Sequence, residues 1–238
     1  MPDSPAVPSG FLAHTARIAI KDLRIEWKSR EILYTMTFLA TLVVLIFAFA
    51  FISGTDNDLG PGVTAGILWV AVLFSGTIGL SRTFDREREG EAIRSLLLSP
   101  VPRAAIYAGK VAATAFLMFA VECVVTPLCG LFFNTGIFEH TGRLALVLFL
   151  GTLGFASAGV VFSAALLRAR SRDVLLSALL FPIVVPVFLA GAKATSQLLD
   201  PAMPDLAGAD FWTEFLLGTD VMFIALGLWA FEPVVTGE

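Results

Sequence analysis

The sequence predicts an all-α, polytopic membrane protein with six transmembrane helices, and three observations carry that prediction. Of its 238 residues, 57% are hydrophobic and only 15% are charged, too little polar surface for a soluble domain of this length. Six runs of about 20 residues are apolar enough to cross the hydrocarbon core of a bilayer. Fourteen of the sixteen Lys and Arg residues fall on one side of the topology that those runs define, a bias that orients helices in a membrane. The net charge of −4 decides little, because charge acts here by location rather than by sum.

Residues 1–32 read as a cytoplasmic N-terminal region with an interfacial helix. At about 100° per residue, Ala16, Ile20, Leu23 and Trp27 share one narrow stripe, with Arg17, Lys21, Arg24 and Lys28 beside it and Asp22 and Glu26 flanking the other side. An apolar stripe with Trp, bordered by cations, fits a helix among lipid headgroups. Ile18 and Ile25 point away from that stripe. The pattern leaves open a plain membrane-surface helix or one that also clasps a soluble partner.

The first apolar run, 33–53, follows a long basic stretch and is expected to be an uncleaved anchor. A turn holding Asp56 and Asp58 leads to span two, 62–81. Span three, 111–135, is interrupted only by Glu122; spans four and five are 144–167 and 174–192. Span six, 211–231, has Glu214 at its start and Asp220 in its outer half. The transmembrane domain is thus 33–232, with a short cytoplasmic tail at 233–238. Arg143 and Lys193 alone lie on the side opposite the other cations, so both termini and the 82–103 connection are expected in the cytoplasm.

An ionised carboxylate at the bilayer centre costs about 2.5–3.5 kcal/mol. Glu122 must therefore be neutral, paired or facing a polar gap, and Asp220 either reaches the interface or makes an interhelical hydrogen bond. Both are candidates for an intramembrane polar site. Pro182 and Pro186 share one face of span five, and Pro127 lies in span three; each can bend its helix. Gly151, Gly154, Ser157 and Ala158 in span four suit close helix approach or a dimer contact. Cys123 and Cys129 are about 9 Å apart along a helix, too far for a disulfide, and are expected to be buried thiols.

The 82–103 connection is the richest stretch. Acids and bases alternate from Arg82 to Glu91, Gly90 loosens the chain, and Ile93, Leu96 and Leu97 share the spacing of one helical face. Ser99-Pro100-Val101-Pro102 then stops the helix. A loop charged only for topology needs neither an apolar helical edge nor a double-proline stop. No G-x-x-x-x-G-K-[ST] occurs, so energy from ATP has to come through another subunit. H-E-x-x-H, C-x-x-C-H and G-x-S-x-G are also missing, which leaves no catalytic or metal-binding set. The only histidines are His14 and His140; His140, in an outer loop, could ligate haem iron, but a lone loop histidine is usually solvated.

From Glu87-Arg88-Glu89 through Leu96-Leu97-Leu98-Ser99-Pro100, and on to Arg103, Ile106, Gly109 and Lys110, the chain resembles the loop of ABC type 2 export permeases. Within that group, Lys21-Asp22-Leu23-Arg24-Ile25-Glu26-Trp27-Lys28 and Phe84-Asp85-Arg86 resemble the haem exporter protein B (CcmB) family, a permease subunit of cytochrome c maturation. Length and span count fit over nearly the whole chain, while the specific motifs lie in 21–31 and 82–110. Glu91 departs from the small or uncharged polar residue expected there.

The resemblance implies that the segment after span two is a coupling helix seated in a groove of a cytoplasmic ATPase subunit (CcmA-like), with Glu87, Arg88, Glu89, Ile93, Leu96 and Leu97 at the matching positions. It also implies a haem-handling membrane subunit (CcmC-like), a small CcmD-like subunit, a homodimer or larger complex, and a bacterial inner-membrane location. Haem would be a transported or relayed substrate, not a covalently held cofactor, and no nucleic acid is implied. The alternatives are export of a lipid, polysaccharide or drug, or a non-transporting membrane scaffold.

Overall fold

A computed structural model of the protein describes residues 10–51, 60–84, 101–133, 135–167, 169, 171–200 and 204–236. The described elements are seven helices: α1 (Phe11–Ser29), α2 (Glu31–Phe51), α3 (Pro61–Arg82), α4 (Arg103–Phe133), α5 (Thr141–Ala165), α6 (Arg172–Leu198) and α7 (Leu206–Thr236). Helices α2 to α7 are long and apolar enough to cross a membrane. Even α2, the shortest, rises about 30 Å. Each coincides with one of the six predicted spans. Four ends differ by five residues or more: α4 starts at Arg103 rather than 111, α6 runs on to Leu198 rather than 192, and α7 starts at Leu206 rather than 211 and continues through Pro233 to Thr236, so the predicted tail is largely helical.

Arg30 separates α1 from α2. It adopts a left-handed conformation (φ 57°) and its N–H bonds to the Glu26 carbonyl at 2.5 Å, closing α1. Only there, among the described residues, does a non-glycine take positive φ, at a cost of about 1–2 kcal/mol. That single turn lets α1 leave the direction of α2.

Helix α5 is the centre of the bundle, packing against α3, α4, α6 and α7. In its most apolar stretch 72% of residues are buried, against 22% in α2 and in α7 at the edge. Lipid gives helices no hydrophobic reason to associate, so small residues and interhelical hydrogen bonds must hold them. The small-residue stripe of α5 is used in that way within the chain. A Cβ at Gly151 of α5 or Gly191 of α6 would run into the Trp69 ring of α3, and one at Gly159 would run into Leu80. Trp69 Nε1 donates to Thr195 Oγ1 at 3.0 Å, locking α3 to α6. Tyr107 of α4 donates to the Ser157 carbonyl at 3.1 Å, and its ring fills the space left by Gly227 of α7.

Pro127, Pro182 and Pro186 are all exposed, on the outward sides of continuous helices. The two cysteines differ: Cys129 is buried as expected, but Cys123 is exposed. Six residues in a helix turn about 600°, which sets the two about a third of a turn apart. At the end where α7 begins, Arg143 pairs with Asp210 at 2.7 Å, and Asp205 Oδ1 accepts the Gly208 N–H at 2.9 Å, capping α7.

Candidate functional site

The residues that the sequence nominates for ATPase coupling, Glu87, Arg88, Glu89, Ile93, Leu96 and Leu97, lie outside the described residues. Both roots of their segment are described. The chain enters it from the end of α3, at Thr83 and Phe84, and returns at Val101 into α4. Phe84 is buried, and Val101 packs against the core.

Lys110, one residue after the tight contact of Gly109 with Ile18, gathers these roots together. The residue is 2% exposed. Nζ lies 3.0 Å from Asp22 Oδ2 of α1, donates to the Thr83 carbonyl at 2.9 Å, and sits 5.0 Å from the centre of the Phe84 ring. Thr83 is held further by a 3.3 Å hydroxyl contact with Thr114 of α4. A second buried cation works beside it: Arg172, at the start of α6, donates to the Leu80 carbonyl at 3.5 Å, which also accepts from Ser163 of α5 at 3.0 Å. The last carbonyls of a helix lack intrahelical partners and carry partial negative charge. Two cations from two other helices therefore satisfy the end of α3 from which the charged segment departs. Across the same end of the bundle, Arg103 pairs with Glu232 of α7 at 3.4 Å.

Helix α1 is fastened there by its acids. Glu26 is buried, and its Oε1 accepts the Leu33 N–H at 3.0 Å, capping the first turn of α2. Asp22 holds Lys110 and also Lys21, at 2.9 Å. Ile18 and Ile25 turn inward, and a Cβ at Gly109 would meet Ile18 at 2.7 Å. The predicted apolar and basic stripes face outward: Trp27 is 72% and Ile20 54% exposed, and Lys21, Arg24 and Lys28 are exposed with them. The sequence counted Lys110 for topology and in the permease-like motif, but gave it no partner. The signal that singles it out is a lysine a full two turns inside a helix, where it has to find a partner.

The two intramembrane acids are placed differently. Glu122 of α4 is buried and accepts a hydrogen bond from Thr152 of α5 through Oε1, while Oε2 has no partner among the described residues. Asp220 does not reach an interface. It is 2% exposed, lies at the middle of the 31-residue α7, and faces Gly154. Neither carboxylate oxygen has a partner among the described residues, and the interhelical hydrogen bond expected of Asp220 is not made among them. Glu122 and Asp220 contact α5 two residues apart, on nearly opposite sides of that helix, and so do not form one site. His140 immediately precedes α5. No group of three His, Cys, Asp or Glu residues suited to a metal occurs among the described residues.

A family model described as CcmB protein matches residues 13–236. The chain is 27% identical over 180 residues to Heme exporter protein B of Bradyrhizobium diazoefficiens, covering 75% of this chain and 79% of the relative. It is 26% identical over 220 residues to Heme exporter protein B of Pseudomonas aeruginosa, covering 92% and 94%. With Heme exporter protein B of Haemophilus influenzae the identity is 28% over 162 residues, covering 68% and 72%.

Proposed function

The chain belongs to the CcmB protein family, and on that premise we propose that it is the permease subunit of an ABC transporter serving haem export in cytochrome c maturation. Haem is the substrate, transported or relayed toward the outer face of the bacterial inner membrane. ATP is hydrolysed by a separate CcmA-like subunit, and CcmC-like and CcmD-like membrane subunits complete the assembly. The charge bias supports a cytoplasmic location for the Lys110 end of the bundle, where Glu87–Leu97 engages the ATPase.

The observation that supports this best is the clamp at the loop roots. Lys110 joins α1, α3 and α4 where the charged segment leaves the bundle. Removing one partner of a buried ion pair costs about 3–5 kcal/mol, so a push on the loop moves three helices together rather than bending a free hairpin. Such a device suits a subunit driven from outside.

The test is a purification of the intact complex together with a gene deletion. A nucleotide-binding subunit should co-purify, and its recovery should fall when Ile93 and Leu97 are both changed to Asp. Deletion should abolish holo-cytochrome c. Normal holo-cytochrome c with loss of another exported product would replace haem by that cargo.

A further inference from the structure

We propose that the outward face of α1 is a binding surface for the headgroups of anionic phospholipids. The sequence places cations and acids on the same helix. The structure separates them. Asp22 and Glu26 are turned inward and engaged, Asp22 with Lys110 and Glu26 with the first turn of α2. Arg17, Arg24 and Lys28 are exposed, and none of these three has an ion-pair partner among the described residues. The outward half of α1 is therefore basic, although the helix as a whole is mixed.

Directly beside these cations run Ile20 and Trp27, exposed as well, with the Arg30 guanidinium 5.9 Å from the Trp27 ring centre. A soluble acidic partner would match the cations but leave an exposed tryptophan and isoleucine unexplained. A lipid surface takes both: the apolar stripe enters the acyl boundary while long basic side chains reach up to phosphates. The level is right, because Glu26 caps the first turn of a membrane-length helix and Lys110 holds the last turn of another. Anionic headgroups would then steady α1, and through Asp22 and Lys110 the roots of the charged segment.

The experiment uses the full chain in vesicles of phosphatidylcholine and phosphatidylglycerol, with one or the other brominated to quench tryptophan. The Trp27 signal is the difference between wild type and Trp27→Phe. Brominated phosphatidylglycerol should quench it more than brominated phosphatidylcholine, and the preference should shrink on adding salt. Arg17→Gln, Arg24→Gln and Lys28→Gln should each lower the preference about fivefold, while Arg24→Lys should retain it. Equal quenching by the two lipids, or a preference unchanged in the triple Gln variant, overturns the proposal. So does a Trp27 that neither lipid quenches, which would place protein over this face. Should the triple variant fail to fold, the salt titration of wild type still decides.

Discussion

Two regions of this molecule bury ionisable groups, and they do it in opposite ways. At the loop roots Lys110 and Glu26 are surrounded by partners: a carboxylate and a carbonyl for the one, a backbone N–H for the other. In the middle of the bundle Glu122 has one hydroxyl, and Asp220 has no partner among the described residues. A buried charge that is fully engaged ties elements together, because moving any one exposes the rest. A buried acid without partners ties nothing. It must be accommodated by neighbours such as Gly154, which has no Cβ to collide with Asp220.

The largest expected effect tests the engaged region. Lys110→Ala should destabilise the protein by about 3 kcal/mol in thermal unfolding, the low end of the cost of breaking a buried pair, because Asp22 keeps Lys21. A cost below about 1 kcal/mol would erase the distinction between the two regions. A smaller effect should appear at Gly154. Gly154→Ala forces the Asp220 carboxyl aside at about 2 kcal/mol, less about 1 kcal/mol from the better helix propensity of alanine. In an Asp220→Ala background the same change should become stabilising, and that reversal of sign is the measurement that matters.

Smallest of all should be Glu122→Gln, within about 1 kcal/mol of wild type, since the amide oxygen still accepts from Thr152. A loss as large as that for Lys110→Ala would show that the carboxyl of Glu122 is held as firmly as the clamp.

The spans were legible because a membrane admits few solutions. A helix that satisfies its own backbone and carries about 20 apolar residues announces itself locally, and six such runs became α2 to α7. The rotation of each helix was not legible. For α1 the wheel grouped the residues into stripes but could not tell which side of the helix meets protein. In water an apolar stripe points inward, whereas in α1 Ile20 and Trp27 point outward and the acids point in. Asp220 was expected at an interface or in a hydrogen bond because span position alone says nothing of a glycine on another helix.

The sequence by itself determined the all-α class, the six crossings, the charge bias and the family, since each is a property of local composition or of a short motif. Tertiary structure alone decided which charges are engaged. Lys110, Asp22 and Thr83 come from three helices, as do Trp69, Gly151 and Gly191. Between helices in lipid there is no hydrophobic ordering to read from the chain. Close packing and paired polar groups decide there, and both depend on surfaces that meet only after folding.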